Sequence, residues 1–155
     1  MTTLEGKLAE AVLCLYRRGP SNVTDISKQT SSTYAHTVRV IEKLGEMGLV
    51  KFDRKGRTKI VELTELGRKI GERLDEIENM LKLAVLSVEV ETVYRTEVKG
   101  KLREEINQGR VMEKLAEISK QLEPLQSKQS MVELVLKLQA RMEEIEREVK
   151  GLVVG

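Results

Sequence analysis

Apolar residues recur at helical spacing along most of the chain, and short polar breaks divide this pattern into segments. The first helix is predicted to end at Gly19-Pro20, because neither residue continues a helix well. A short second helix is predicted from the cap residue Asn22 to about Gln29. Its apolar contacts are Val23 and Ile26. The i, i+3, i+4, i+7 face of the first helix comprises Leu8, Ala11, Val12 and Leu15.

A third, longer helix is predicted over residues 32–47, after a turn at 30–32 in which Ser31 or Ser32 serves as the cap. At 100° per residue the helix divides into two faces. The predicted core face comprises Tyr34, Thr37, Val38, Ile41, Leu44 and Gly48. The predicted outer face comprises Ala35, His36, Arg39, Glu42, Lys43 and Glu46.

After Gly48 the pattern changes to two short apolar strands on either side of a basic segment at residues 53–59. Gly56 gives this segment the freedom to turn. Its cations would repel one another unless an anion lies nearby, and a DNA phosphate backbone provides one. A basic turn that serves only solubility is the alternative. The segment contains one acid, Asp53, and the cations Arg54, Lys55, Arg57 and Lys59.

This order of elements is the plan of a winged helix-turn-helix, a module that places one helix in a DNA groove and reaches the backbone with a hairpin. Glu42 and Glu46 disfavour DNA contact at the end of helix 32–47, so its N-terminal half is the predicted reading surface. The alternative is an ordinary solvated face. The predicted DNA contacts are Ser31, Ser32, Thr33, Tyr34, Ala35, His36, Arg39 and Lys43 on the helix side, with Arg54, Lys55, Arg57 and Lys59 on the wing.

The residues 31–37, 44–50 and 63–68 resemble the winged-helix regulators of the MarR-like type. The resemblance covers about the first half of the chain. It implies sequence-specific binding of duplex DNA as a dimer, usually for transcriptional control, and places His36 at a polar position of the recognition helix. The C-terminal half departs from the family pattern, so no small-molecule effector is indicated.

Beyond the hairpin, Thr64 is predicted to cap a helix whose core stripe would comprise Leu66, Ile70, Leu74, Ile77, Leu81 and Ala84. Residues 83–98 are ambiguous, because 87–93 alternate like a strand between helical flanks, and we predict helix there. Helical spacing returns over residues 101–122, and Pro124 is predicted to end that helix.

The last segment has a heptad stripe with spacings of 4, 3, 4, 3, 4 and 3. Two interpretations are open: a seam between subunits, or a hairpin within one chain in which this helix packs on helix 101–122. Under the first interpretation the dimerisation residues are Met131, Val135, Leu138, Met142, Ile145, Val149 and Leu152.

Composition excludes several classes of function. With one Cys and one His in 155 residues, the chain cannot form a four-ligand Cys/His zinc site or a disulfide framework, and no cofactor is predicted. Cys14 lies among apolar residues and is predicted to be a small buried hydrophobe. No partnered nucleophile appears, which argues against an enzyme. The start of the chain lacks a signal-peptide pattern, no stretch is long and apolar enough for a membrane helix, and a cytoplasmic, nucleoid-associated protein is predicted.

The sequence therefore predicts a mainly α protein with a winged helix-turn-helix at 1–82 and a helical dimerisation or coiled-coil region at 83–155. The leading hypothesis is a homodimeric transcriptional regulator that binds duplex DNA, reading the major groove with helix 32–47 and the backbone with wing 53–59. The alternatives are a chromosome-organising or partition protein of low sequence specificity, and a winged helix used only for protein interaction.

Overall fold

The computed structural model of the chain describes residues 4–151. It divides into two compact units that meet at residues 77 and 78, a few residues before the predicted boundary at 82. The elements are, in order, α1 (Gly6–Arg18), β1 (Ser21–Asn22), α2 (Val23–Gln29), α3 (Tyr34–Glu46), β2 (Val50–Lys55), β3 (Thr58–Leu63), α4 (Glu65–Glu97), α5 (Gln108–Gln126) and α6 (Val132–Lys150), with 3-10 turns at Arg103–Glu105 and Gln129–Met131. The predicted mainly helical fold is confirmed.

In the first unit, α1, α2 and α3 pack with a small sheet around one apolar core. β3 is the central strand, and it pairs antiparallel with β2 and with the two-residue strand β1, which was not predicted. The predicted apolar faces of α1 and α2 are buried as expected. The core comprises Leu8, Ala11, Val12, Leu15, Val23, Ile26, Val40, Ile41, Leu44, Leu49, Val50, Val61 and Leu63.

Three assignments on α3 are corrected. Its cap is Thr33, whose Oγ1 accepts a hydrogen bond from the His36 N–H at 3.1 Å, and neither Ser31 nor Ser32 caps the helix. Tyr34 was placed on the core side, but 60% of it is exposed because the core begins at Thr37, one turn later. Val40, which was not assigned to the core, is buried beside Ile41.

In the second unit, the later part of α4 packs with α5 and α6 around a separate core. The ambiguous segment 83–98 is helical as predicted up to Glu97, and it forms the last turns of α4. The buried apolar residues are Leu83, Leu86, Val90, Val93, Val98, Val111, Leu115, Ile118, Leu122, Leu125, Met131, Val135, Leu138, Met142, Ile145 and Val149.

The predicted bounds of the middle helix are wrong at both ends. α5 begins at Gln108, where the Asn107 side chain accepts from the Arg110 N–H at 3.0 Å, so the chain does not become α-helical at Lys101. Pro124 lies inside α5 and does not end it. Pro124 lies in the last turn, where its missing N–H removes one hydrogen bond to the preceding turn, and the next residue, Leu125, is still buried in the core.

The predicted core stripe of α4 is only partly confirmed. Leu66, Ile77, Leu81 and Ala84 are exposed, whereas Ile70 and Leu74 are partly buried and pack against the first core. The residues of α4 that do enter the second core lie on the opposite side of the helix. They are Leu83, Leu86, Val90 and Val93.

Candidate nucleic-acid interface

The turn between α2 and α3 is held by a local set of hydrogen bonds. Ser31 has a φ of 51°, an uncommon left-handed conformation for a residue with a side chain. The Ser32 N–H donates to the Ser27 carbonyl at 2.9 Å, and the Thr30 hydroxyl donates to the Ile26 carbonyl at 2.8 Å. From α1, Lys7 Nζ donates to the Thr30 carbonyl at 2.8 Å. These contacts fix the direction in which α3 begins.

The first turn of α3 carries no acidic residue, so no side chain there offsets the positive end of the helix dipole. The Thr33 carbonyl accepts from the Thr37 hydroxyl at 2.8 Å, and buried Thr37 thereby faces the core with its hydroxyl satisfied. The predicted contacts of this region are all at least partly accessible: Ser32 is half-buried, and the exposed ones are Ser31, Thr33, Tyr34, Ala35, His36, Arg39 and Lys43.

The wing is a longer hairpin than predicted, because its strands extend into the basic segment. The cross-strand pairs Arg54↔Lys59 and Lys55↔Thr58 close on a turn at Gly56, whose φ is +65°. All four wing cations are exposed.

Strand alternation places the wing cations on different sides. Arg54 and Lys59 share the face of Phe52 and of buried Val61, whereas Lys55 lies on the opposite face and Arg57 lies in the turn. The hairpin therefore presents positive charge on both faces and at the tip.

Phe52 connects the wing to α3. A Cβ placed on Gly45 would lie 3.1 and 3.2 Å from two atoms of the Phe52 ring, so the ring packs closely on the backbone of the helix. Lys59 Nζ lies 4.0 Å from the centroid of the same ring, within cation–π distance. Sequence reasoning placed Phe52 in a strand but missed this positioning role. The sequence did contain a signal for this contact. Gly45 leaves space on the predicted helix, and Phe52, the only Phe of the chain, follows it closely.

The cations of this surface are not neutralised by the protein's own acids. Within residues 4–151, no carboxylate forms an ion pair with Arg39, Lys43, Arg54, Lys55, Arg57 or Lys59. The single acid of the wing, Asp53, instead accepts the Arg54 N–H at 2.8 Å. The acids Glu42 and Glu46 are exposed further along α3. Positive charge thus dominates the wing, and on α3 the acids Glu42 and Glu46 follow Arg39.

Comparison with known proteins gives similarity at the level of structure alone. No family model matches the sequence, and no curated protein matches it. MepR, a transcription regulator of the Staphylococcus aureus multidrug efflux pump MepA, is similar with a TM-score of 0.52 and 17% identity, over 79% of this chain and 81% of MepR.

Two other similar structures are described as MarR-family regulators. SPO1453 from Silicibacter pomeroyi has a TM-score of 0.50 and 22% identity over 53% of this chain, and NMB1585 from Neisseria meningitidis has 0.50 and 20% over 55%. The matches span 60% and 62% of those two proteins. The chain has the winged-helix fold of the MarR-type transcriptional regulators.

The residues predicted to join two subunits lie inside the second core. The six that lie in the described region are buried in the core of their own chain, so the assignment of this stripe to a subunit seam is corrected in favour of the hairpin within one chain. The physical reason is that α5 supplies an apolar partner stripe across the short turn at residues 127–131. The seventh, Leu152, lies outside the described residues. The six are Met131, Val135, Leu138, Met142, Ile145 and Val149.

The described part of the chain offers no group of three or more His, Cys, Asp or Glu side chains that could hold a metal ion. Burial raises the pKa of the Cys14 thiol above its ordinary value, and the neighbouring Arg18 opposes that rise. The thiol therefore stays protonated near neutral pH. Among the described helices, none is both long enough and apolar enough to cross a membrane.

Proposed function

We propose that this protein is a homodimeric regulator of transcription that binds specific sequences of duplex DNA. In this proposal α3 enters the major groove, where Arg39 and its neighbours contact base edges, and the wing contacts the phosphate backbone. Two recognition helices related by a two-fold axis would prefer an inverted repeat with half-sites about 34 Å apart.

The observation that carries the proposal is the set of unneutralised cations on α3 and the wing. Some cations elsewhere in the described chain are paired with acids, as Arg17 is with Asp75 at 2.8 Å and Lys114 with Glu97 at 2.9 Å. The cations of α3 and the wing are instead unpaired and lie on two elements that pack together through Phe52. Unpaired cations on two adjoining elements repel one another, and a polyanion removes that cost by releasing its counterions. The fold adds a geometric reason, because it exposes the start of α3 and packs the wing against the same helix at Gly45.

Base reading is expected from the first half of α3. Ala35 is small and exposed, so the helix can approach the groove floor without obstruction, and Arg39 has the donor geometry that suits guanine O6 and N7. Glu42 and Glu46 would be repelled by phosphates. An orientation that brings Arg39 to the bases and keeps Glu42 and Glu46 away from the phosphates tilts the end of α3 away from the DNA.

Selection of bound sequences from a random duplex pool tests this proposal, followed by competition between the selected site and random duplex. We expect an enriched inverted repeat that is bound at least about a thousandfold more tightly than random DNA. Binding that is tight but indifferent to sequence would instead support a chromosome-organising protein, a role that the wing cations alone could support. No binding to any duplex would overturn both and leave a protein-interaction module.

A further inference from the structure

A groove in the first unit separates the start of α1 from one side of α3. We call it the α1–α3 groove, and it has a volume of about 320 Å³. Its floor contains Leu8 and Val40, which are both buried. The charged and titratable side chains of its lining are Glu5, Lys7, His36, Arg39 and Lys43. The groove therefore has an apolar floor and a mainly basic lining.

The α1–α3 groove lies on the side of α3 opposite the wing contact. At 100° per residue, His36 and Lys43 lie about 180° and 160° around the helix from Gly45. Gly45 is the residue on which Phe52 of the wing packs. Arg39 lies between these two sides, about 120° from Gly45. When Arg39 faces the bases, the wing and the groove therefore lie on opposite flanks of the helix.

A helix in the major groove meets phosphates on both flanks, because that groove is about 12 Å wide and a helix with its side chains is about 10–12 Å across. The wing cations serve one flank in the proposed function. On the other flank, within residues 4–151, Arg39 and Lys43 form no ion pair with an acid. These two cations are available to a phosphate in the α1–α3 groove.

The α1 side of the groove contributes less positive charge. Lys7 is already engaged, since its Nζ donates to the Thr30 carbonyl at 2.8 Å and pairs with Glu10 at 3.1 Å. Glu5 is the one acid among the described residues of the lining, and its side chain does not cap α1. An anion in the groove would therefore be attracted by the cations of α3 and repelled by Glu5.

His36 adds a titratable group to this lining, and it is the only histidine of the chain. Imidazole is the side chain whose charge ordinarily changes between about pH 5 and 8, whereas carboxylates, lysines and arginines ordinarily keep theirs. Among the described residues, the charged groups that share the groove with His36 come from α1 and α3 alone, and they are Glu5, Lys7, Arg39 and Lys43. A phosphate beside the imidazole would favour its protonated form.

We propose that the α1–α3 groove binds a phosphate of the DNA backbone, separate from the phosphates that the wing contacts, and that His36 takes up a proton when this phosphate is bound. The inference rests on the proposed function, to which it adds a third contact and a dependence on pH. Because linkage is reciprocal, a phosphate that favours the protonated imidazole binds more tightly when the imidazole is protonated. DNA affinity should therefore rise as pH falls.

The test is the affinity of the full chain for a fixed duplex, measured by fluorescence anisotropy between about pH 5.5 and 8. At about 0.1 M salt, the wild type should bind up to about tenfold more tightly at the acid end, because one more phosphate contact adds about 0.9 to the slope of log K against log salt. The slope itself should be steeper at the acid end by about 0.9.

Two variants fix the charge at position 36. His36→Gln should bind at every pH as the wild type does at the alkaline end, and His36→Lys should bind at every pH as the wild type does at the acid end. The helix cap survives both changes, because Thr33 Oγ1 accepts from the backbone N–H of residue 36. The side chain is exposed, so circular dichroism should show equal helix content.

Glu5→Gln removes the acid of the groove and should bind duplex several-fold more tightly than the wild type at every pH. Glu72→Gln is its control, because it removes an exposed acid of α4 outside the groove and should leave affinity unchanged.

Single neutral methylphosphonates along both strands of the selected duplex locate the contact. Each should weaken binding where a protein cation meets the replaced phosphate. Lys43→Ala should remove this sensitivity at one set of positions and Lys55→Ala at a different set.

A pH profile that His36→Gln leaves unchanged, a Glu5→Gln variant that binds no more tightly than Glu72→Gln, or identical methylphosphonate positions for Lys43→Ala and Lys55→Ala would each overturn the inference. The proposed function stands in those cases if the wild type still enriches an inverted repeat. Binding that follows the expected pH profile without sequence preference would support the groove and refute sequence-specific regulation. No binding to any duplex at any pH would overturn both.

Discussion

The aromatic ring of Phe52 on the wing packs against Gly45 on α3, where a methyl group would approach two ring atoms to 3.1 and 3.2 Å. One ring thus sets the distance between the two parts of the proposed DNA-binding surface. The same ring lies under the ammonium group of Lys59 at 4.0 Å. The position of the wing cations therefore depends on a residue that need not touch DNA.

Gly45→Ala should weaken DNA binding several-fold and leave stability nearly unchanged. The methyl group displaces the Phe52 ring by a few tenths of an ångström and tilts the wing, while the alanine adds up to about 1 kcal/mol of helix preference that offsets the crowding. Fluorescence anisotropy on a labelled duplex and thermal unfolding measure the two effects. Gly109→Ala is the control, because its nearest neighbouring atom would lie 3.7 Å away. Equal affinities for both variants would show that the wing is not positioned through this contact.

Arg39→Ala should lower the affinity for the selected site by about 1–3 kcal/mol and affect random duplex much less, since a bidentate contact with a base edge discriminates between sequences. Competition binding with selected and random duplexes gives the specificity ratio. Arg73→Ala serves as the control, because Arg73 is exposed on α4 and pairs with Glu76 at 3.3 Å. A ratio that stays at the wild-type value would remove Arg39 from base reading.

Lys55→Ala and Arg57→Ala should each weaken binding to all duplexes alike and reduce the slope of log K against log salt by about 1, because each phosphate contact releases its own counterion. Titrations between about 50 and 200 mM salt measure that slope. Lys69→Ala removes a cation on α4 that is 71% exposed and should leave the slope unchanged. If the wing variants behave like this control, the hairpin does not reach the backbone.

Acid should destabilise the second unit through Glu91. Arg141 donates from Nε to Glu91 Oε1 at 2.7 Å and from Nη2 to Oε2 at 3.2 Å, and these bonds lower the pKa of Glu91 from its ordinary value of 4.5. A carboxyl group whose pKa is lower in the folded state stabilises the fold above its unfolded pKa, and this contribution is lost as pH falls through the folded pKa.

The expected loss is small, up to about 1 kcal/mol, because the pair is largely solvated. Glu91→Gln should therefore reduce stability at pH 7 by this amount and flatten the dependence of stability on pH below about 4.5, as measured by urea unfolding. Glu144→Gln, which alters the other carboxylate near Arg141 at 3.2 Å, is the comparison. A Glu91→Gln variant with the acid profile of the wild type would show that other carboxylates control the transition.

Local signals were sufficient for the first unit. The cap at Asn22, the break at Gly19-Pro20 and the basic hairpin each act within a few residues, so their positions could be read from the sequence. The cations of the candidate site were found for the same reason. The contact of Phe52 with Gly45 could not be found this way, because strand alternation fixes the face of a residue but not its neighbour on another element.

The spacing of apolar residues was less informative for the second unit. It identifies the face of a helix that is buried, but it does not identify the element that packs against that face. The α6 stripe is buried as its spacing requires, but α5 and α4 of the same chain cover it. On α4 two apolar faces overlap in the sequence, and most of the stripe that we expected in the core is exposed. Pro124 does not end α5, because a proline in the last turn of a helix removes only one hydrogen bond to the preceding turn.

Ser31 restricts the backbone of the turn between α2 and α3 more than a glycine would. Its left-handed backbone is narrow in accessible angles, and the hydrogen bonds at Thr30 and Ser32 hold the adjoining peptides. The start of α3 is therefore preorganised, and under the proposed function binding to a duplex should require little loss of chain entropy at this point. Adaptation to different sequences would then fall to the DNA, whose bending must follow a rigid protein surface.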